Sequence, residues 1–289
     1  MASLGAFVFV FLAGLVTALA TGLGAVPYFI VDDVSVRWRV ALWGLASGIM
    51  VSASLFGLIE EGLAYGTPAD IAPGLLAGVV LVVVANRVLE RVGGHGHSHE
   101  DDDHDDGHDH GALAEAQATA LADRDWRKLF LILGVLTVHS FPEGVAVGVS
   151  FAELGFEGGI PILGFSVPLL AVFMTIAISI HNVPEGLAVS IPLRALGIDR
   201  RWMVGAAVFS SLPQPIGAVI AYGFVTWAQE FMPLGFGFAA GAMIFLVLSE
   251  FIPEALDAGQ NLPGRGHREL VIGVAAGVVM MAPLLVVQT

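Results

Sequence analysis

The sequence predicts an all-α polytopic membrane protein with eight transmembrane helices, built as inverted repeats in a 3+2+3 arrangement. Three observations predict this fold class: an apolar composition, a one-sided distribution of basic residues, and a short motif that occurs twice. Of the 289 residues, 56% are hydrophobic and 13% are charged, and the mean hydropathy is +0.82. A soluble domain carries about a quarter charged residues, so this composition indicates a chain surrounded by lipid.

Eight apolar segments of membrane-spanning length can be drawn along the chain. The fifth is longer than a single span needs, and we expect it to be tilted, kinked or extended beyond the bilayer. The first has no basic flank and no cleavage site, which favours a retained helix over a signal peptide. The segments lie at residues 3–30, 40–61, 71–92, 127–152, 160–193, 202–226, 232–256 and 269–287.

The basic residues predict the orientation of these segments. All twelve Lys and Arg residues lie in or directly beside the gaps on one side of an eight-helix arrangement, which the positive-inside rule assigns to the cytoplasm. We therefore expect a multi-pass protein of the cell (plasma) membrane with both termini extracellular. The twelve residues are Arg37, Arg39, Arg87, Arg91, Arg124, Arg127, Lys128, Arg194, Arg200, Arg201, Arg265 and Arg268.

The longest gap, residues 93–126, is predicted to be a cytoplasmic and largely disordered loop, because its first half has few apolar residues to bury. It divides one transmembrane domain into residues 1–92, with helices one to three, and residues 127–289, with helices four to eight. Histidines and acidic residues alternate in it, a pattern that favours weak metal binding as a sensor or trap. A tolerated low-complexity insert is the alternative. The loop histidines are His95, His97, His99, His104, His108 and His110.

Two near-identical motifs of the form H-x-x-P-E-G lie in segments four and five. Histidine and glutamate four residues apart share one face of a helix. The chain has no cysteine, so a metal ion here would be bound by imidazole and carboxylate, which suits zinc and its neighbours. Ionisable groups in apolar sequence are costly and usually functional, although a polar pair that only joins helices is the alternative. The sequence therefore predicts a metal site between helices four and five, made by His139, Glu143, His181 and Glu185.

A second and weaker repeat links segments two and seven. Ala46-x-Gly48-x-Met50 with Ile59-x-Glu61 matches Ala239-x-Gly241-x-Met243 with Ile252-x-Glu254 at a constant offset. In the eight-helix arrangement the members of each repeated pair run in opposite directions. Both pairs therefore fit an inverted repeat, a kind of fold that places its substrate site near the middle of the membrane.

These features resemble the ZIP (ZRT/IRT-like) family of divalent-metal transporters, in particular its prokaryotic GufA-type branch. The paired motifs, the eight segments, the outward termini and the histidine-rich loop carry the resemblance. It implies zinc uptake into the cytoplasm, a homodimer, and a transporter rather than an enzyme. Iron, manganese, cobalt and cadmium stay open as transported ions, and no nucleic acid partner is expected.

The resemblance also implies further ligands. Met50 in segment two would be an additional soft ligand, although an ordinary packing methionine is the alternative. Members of the family with two metal ions use the residues after each motif histidine and a glutamate in segment six. This chain has the neutral residues Ser140, Asn182 and Gln214 at those places. Because an amide binds a hard divalent ion more weakly than a carboxylate, we expect one principal metal ion.

Segment seven ends in an acidic Pro-Glu sequence that resembles the family's exit path. Glu250 and Glu254 share a helical face near the predicted cytoplasmic side and would pass the ion onward. A solvated acidic pair at a helix end is the alternative.

Three other functions were weighed from the same sequence. An exporter of the cation-diffusion type would show about six segments and metal sites without the proline. An intramembrane metalloprotease needs the motif H-E-x-x-H, which the sequence lacks. A proton-coupled carrier for another solute stays open, because glutamates in a membrane also relay protons.

Overall fold

The structure, a computed structural model of the chain, describes residues 3–30, 34–93, 140–156, 158–195 and 197–287. Over these residues the fold is helical apart from one short hairpin and the connecting turns. The α-helices in chain order are α1 (Leu4–Thr21), α2 (Val36–Ser52), α3 (Glu60–Tyr65), α4 (Pro68–Gly93), α5 (140–150), α6 (Leu169–Ala195), α7 (Arg200–Ser210), α8 (Pro213–Trp227), α9 (Met232–Leu246), α10 (Ile252–Ala258) and α11 (His267–Val287).

Tighter and wider helical turns join several of these helices end to end. Segments of 3-10 helix cover Gly22–Phe29, Gln229–Phe231 and Pro263–Gly266. Two π-helical stretches, Ala53–Ile59 and Val247–Phe251, connect α2 to α3 and α9 to α10. They lie at equivalent places of segments two and seven under the offset that relates the two segments in sequence. Such π-helical turns are rare and often lie at functional sites.

Six helical stretches among the described residues are long and apolar enough to cross a membrane. This confirms a polytopic, mostly helical membrane protein. Helices α5 and α11 lie where segments four and eight were expected. The count of eight spans stays a prediction, because residues 94–139 lie outside the described part of the chain. The six stretches are Leu4–Phe29, Val36–Tyr65, Pro68–Arg87, Leu169–Ile191, Arg200–Trp227 and Gln229–Ala258.

The interpretation of segment five as one long helix from residue 160 was wrong. Its first part is an antiparallel hairpin of β1 (Ile160–Ile162) and β2 (Phe165–Val167), in which Ile160 pairs with Val167. Both turn residues between the strands, Leu163 and Gly164, have positive φ, as a type I′ hairpin turn requires. Helix α6 begins directly after Pro168, whose fixed φ and missing N–H suit the start of a helix. The extra length is thus a hairpin rather than a tilted or extended helix.

Two long parallel helix contacts pack helices that do not carry the motifs. Helix α2 packs along α11, and α4 packs along α9. Both contacts depend on glycine: a Cβ added at Gly48 would lie 2.2 Å from the carbonyl oxygen of Val274, and one added at Gly241 would lie 2.2 Å from that of Leu75. Small residues allow such close helix packing in membranes. If segment two corresponds to segment seven and segment eight to segment three, the pair of α2 and α11 is equivalent to the pair of α9 and α4.

The remaining long helices form a second group around the motifs. Helix α1 packs on both α6 and α8, and the main cluster of buried apolar side chains continues from this group into α2 and α9. The predicted segment six is interrupted between α7 and α8, where Pro213 and Pro215 follow a turn at Ser211. That interruption brings the first turn of α8 against α5.

Candidate metal centre

Three buried side chains from α5 and α6 form the candidate centre. Ligand atoms of Glu143, His181 and Glu185 lie within 4.8 Å of one another. These side chains are 1%, 0% and 5% exposed, respectively. Among the described residues this is the one group of three acidic or histidine side chains with such spacing. Ligand atoms around a tetrahedral zinc ion are about 3.3 Å apart, so small side-chain movements would bring all three onto one ion.

The imidazole of His181 and the carboxylate of Glu143 already contact each other. The distance from His181 Nε2 to Glu143 Oε1 is 3.1 Å, which is hydrogen-bonding distance between two atoms that can each bind a metal ion. Among the described residues, His181 Nδ1 has no hydrogen-bond partner. A buried polar atom without a partner is costly. His181 therefore has one ring nitrogen at Glu143 and a second that accepts or donates no hydrogen bond among the described residues.

Aromatic rings hold the imidazole from one side. Phe251 stacks on His181, with the ring centroids 5.2 Å apart and an angle of 24° between the planes. Trp43 packs in turn on Phe251, with the centroids 5.0 Å apart. Because Phe251 ends the π-helical stretch of segment seven, that stretch directly contacts the candidate ligand.

Amide side chains lie beside the carboxylate. Gln214, at the start of α8, donates from Nε2 to Glu143 Oε2 at 2.5 Å. Its Oε1 accepts from Asn182 Nδ2 at 3.0 Å and from Thr17 Oγ1 at 2.6 Å. Asn182 Nδ2 also donates to the backbone oxygen of Thr17 at 2.7 Å. The amide of Gln214 thus turns its nitrogen, and not its oxygen, toward the carboxylate.

Ser140 is buried but makes a different contact. Its hydroxyl donates to the backbone oxygen of Ser210 at 3.1 Å, at the end of α7. The structure therefore brings Gln214 and Asn182 to the candidate centre through hydrogen bonds, whereas Ser140 joins α5 to the turn between α7 and α8.

The motif glycines allow the backbones of neighbouring helices to approach. A Cβ added at Gly186 would lie 1.8 Å from the backbone oxygen of Thr21, and one added at Gly144 would lie 2.2 Å from that of Gln214. In each motif the residue after the glutamate is thus a glycine at a close helix contact. Gly186 packs against α1 and Gly144 packs against α8, so both motifs pack within one group of helices.

The other residues predicted for metal binding make different contacts or lie outside the described residues. His139 and the loop residues His95, His97, His99, His104, His108 and His110 lie outside the described residues. Met50 is buried in the main apolar cluster. Glu250 is 3% exposed and accepts from Asn86 Nδ2 at 3.0 Å, and Glu254 is half-buried on α10.

Two contributors to the centre were missed by sequence reasoning. Thr17 lies in a long apolar run, where a threonine hydroxyl ordinarily bonds within its own helix. Phe251 lies between the two exit glutamates and gives no motif of its own. The one available signal was the pair Thr17 and Thr21, which are four residues apart and so share a face of α1.

Comparisons with known proteins cover nearly the whole chain. Residues 3–285 match the family model described as ZIP zinc transporter. The chain is 34% identical to the zinc transporter ZIPB of Bordetella bronchiseptica over 270 residues, which are 93% of this chain and 78% of that protein. It is 30% identical to the zinc transporter GufA of Myxococcus xanthus over 287 residues, which are 93% of this chain and 96% of that protein.

A plant protein matches over a smaller part of its own length. The chain is 37% identical to a putative zinc transporter of Arabidopsis thaliana over 241 residues, which are 83% of this chain and 33% of that protein. The chain therefore spans about a third of the length of that relative.

Proposed function

Because the chain belongs to the ZIP zinc transporter family, we propose that it carries divalent metal ions, zinc first, across a membrane. The observation that carries this proposal is the buried group of Glu143, His181 and Glu185. The relatives ZIPB and GufA are named as zinc transporters, which supports zinc as the substrate. The family consists of transporters, so we propose no enzymatic activity.

Charge balance supports a cation as the occupant of the centre. Two carboxylates lie with one imidazole in a region almost closed to water, and buried charges are costly unless they are paired. A divalent cation would neutralise both carboxylates and bind the imidazole. An uncharged solute would not offset the free-energy cost of burying the two carboxylates.

We assign the principal metal ion to Glu143, His181 and Glu185, with His139 as the fourth ligand from the first motif. Met50 stays a candidate soft ligand. One ion rather than two is expected, because Gln214 turns its donor nitrogen toward Glu143 and its oxygen accepts from Asn182. A second ion beside Glu143 would have to displace the donor nitrogen of Gln214.

The ion arrives hydrated and exchanges water for carboxylate and imidazole ligands at the centre. When Nε2 of His181 binds the ion, the neutral imidazole would keep its one hydrogen on Nδ1, and Glu143 Oε1 would be free to bind the same ion. The ion then leaves toward the side that carries the basic residues, by way of Glu250 and Glu254. In this orientation both termini are extracellular, the loop 93–126 is cytoplasmic, and transport is uptake.

Other ions and other assemblies belong to the same proposal. Iron, manganese, cobalt and cadmium also bind imidazole and carboxylate, so competition among these ions should define the selectivity. A homodimer is proposed from the family resemblance, and the mass of the protein in detergent would test it. The family match does not favour the cation-diffusion type of exporter.

Zinc uptake into proteoliposomes that enclose a zinc-sensitive dye tests the function. We expect saturable uptake by the purified protein and its loss in His181→Ala and in Glu185→Gln. Ser190→Ala is the matched control, because Ser190 is buried on the same helix and, among the described residues, its hydroxyl donates to the backbone oxygen of Gly186. Zinc uptake that persists in both ligand variants would refute the proposal.

A further inference from the structure

A continuous chain of hydrogen bonds runs from α1 to the carboxylate of Glu143. Its members are the backbone oxygen of Thr17, the amide of Asn182 and the amide of Gln214. Thr17, Asn182 and Gln214 are all 0% exposed. Three different helices contribute, so tertiary packing alone brings these groups together.

The direction of every hydrogen bond in this chain follows from its first member. A backbone oxygen can only accept, so Asn182 must present its NH2 group to Thr17. The same nitrogen lies 3.0 Å from Gln214, and the atom of Gln214 that faces it must therefore be the oxygen. The NH2 group of Gln214 is then left to face Glu143. Rotating either amide would place two donors or two acceptors against each other.

The hydroxyl of Thr17 reinforces the same direction. Thr17 Oγ1 lies 2.6 Å from Gln214 Oε1 and 2.7 Å from the backbone oxygen of Gly14. Both neighbours can only accept, so the hydroxyl is a donor in either case. With Gln214 as its partner, it makes the second of two hydrogen bonds that hold the amide oxygen away from Glu143.

We propose that Thr17, Asn182 and Gln214 are positioning residues for metal binding, a proposal that rests on the transport function above. Together they form a hydrogen-bond relay of fixed direction, here called the amide relay. The relay holds Glu143 Oε2 as an acceptor and leaves Oε1, beside His181, for the ion. Because its last member points N–H groups at the carboxylate, the relay also keeps a second cation from that side.

Close backbone packing keeps the relay from relaxing. A Cβ added at Gly14, on α1, would lie 2.7 Å from the Cα atom of Pro215, and one added at Gly144 would lie 2.2 Å from the backbone oxygen of Gln214. Helices α1 and α5 therefore contact the start of α8 without room for movement. The amide of Gln214 is fixed at its backbone as well as at its side chain.

Replacement of the Thr17 hydroxyl tests the relay without changing any proposed ligand. In Thr17→Val the hydroxyl is lost at nearly constant volume, and we expect zinc affinity of the purified protein to fall roughly three- to tenfold. Thr17→Ser keeps the donor and should bind zinc within about twofold of the wild type.

Thr21→Val is the matched control for this pair. Thr21 lies one turn later on α1, is also fully buried, and donates to Ser211 Oγ at 2.7 Å, away from the amide relay. The variant Thr21→Val should lower the melting temperature as Thr17→Val does, but it should leave zinc affinity unchanged. Wild-type affinity in Thr17→Val, an equal loss in Thr21→Val, or failure of Thr17→Ser to restore binding would each overturn the proposal.

Asn182→Asp separates a positioning role from a ligand role. In the relay, aspartate would turn a carboxylate oxygen toward the backbone oxygen of Thr17, so zinc should bind more weakly. If Asn182 were instead a metal ligand, the added negative charge would tighten binding or admit a second ion, and either result would overturn the relay. Two results would refute the proposed transport function together with the relay. One is a wild type without saturable zinc binding, and the other is zinc binding that persists in His181→Ala.

Discussion

Phe251 lies flat against the imidazole of His181, with the ring centroids 5.2 Å apart. The contact joins a candidate metal ligand on α6 to the π-helical stretch that precedes α10. A metal-binding histidine is usually oriented by a hydrogen bond from its second ring nitrogen. Here, among the described residues, that nitrogen has no such bond. The stacked ring therefore sets the plane of the imidazole.

Replacing Phe251 by leucine should weaken zinc binding. The variant removes the stacked ring, and loss of an aromatic contact of about 0.5–1.5 kcal/mol corresponds to a roughly two- to tenfold lower affinity. Phe236→Leu is the matched control, because Phe236 is equally buried and stacks on Tyr65 instead. Zinc titration of both variants should show the loss only in Phe251→Leu, and an equal loss in the two would assign the effect to general packing.

Zinc binding should weaken as the pH falls. An imidazole nitrogen or a carboxylate oxygen binds a metal ion only without a proton, so protons compete with zinc for His181, Glu143 and Glu185. Affinity should drop by up to about tenfold per pH unit for each proton displaced. Zinc titrations across a range of pH would measure this slope.

The exposed His267 supplies a control for this measurement. Among the described residues its ring nitrogen Nδ1 contacts the backbone oxygen of Gly264, and it is not part of the candidate centre. His267→Ala should leave that slope unchanged. Zinc affinity that stays constant as the pH is lowered would contradict the assignment of these three ligands.

Gly186→Ala should destabilise the protein and abolish transport. The added Cβ would lie 1.8 Å from the backbone oxygen of Thr21, so α1 and α6 would have to separate. Overpacking of this kind typically costs about 1–3 kcal/mol, and the separation would also break the amide relay. Thermal unfolding in detergent measures the loss of stability.

Gly205→Ala is the matched substitution, since an added Cβ there meets no atom within 4 Å. Alanine also has the higher helix propensity, so this variant should be as stable as the wild type or slightly more so. A stable and active Gly186→Ala protein would mean that α1 does not pack on α6 as described.

A single metal ion should occupy the membrane centre. After deletion of residues 94–110, which removes the loop histidines, a metal analysis should give one zinc ion per chain. Gln214→Glu should raise that ratio, because it replaces the donor that faces Glu143 by a second carboxylate. Gln229→Glu, outside the candidate centre, is the control. A ratio clearly above one in the loop-deleted protein, without further substitution, would contradict the expectation.

The same loop deletion should leave transport itself intact while changing its affinity or regulation. The ligands proposed for transport all lie outside residues 94–110, so the centre should keep its chemistry. Uptake by the deletion variant, measured across a range of zinc concentrations, is the test. Complete loss of uptake in a correctly folded deletion variant would show that the loop takes part in transport directly.

The sequence by itself determined the class of the protein and most of its candidate ligands. Long apolar segments can cross a lipid bilayer only as helices, and local spacing places His181 and Glu185 on one helical face. These conclusions need only the residues of one segment at a time, which is why they hold without a structure.

Only the tertiary structure decided the contacts between segments. The hairpin at residues 160–167 is as apolar as a helix, so composition could not separate the two. Gln214 and Asn182 offer both an oxygen and a nitrogen, and only the backbone oxygen of Thr17, on another helix, decides which atom faces Glu143. The stacking of Phe251 on His181 likewise joins residues far apart in sequence. Hydrogen-bond direction and ring contact depend on neighbours across helices, which no local pattern encodes.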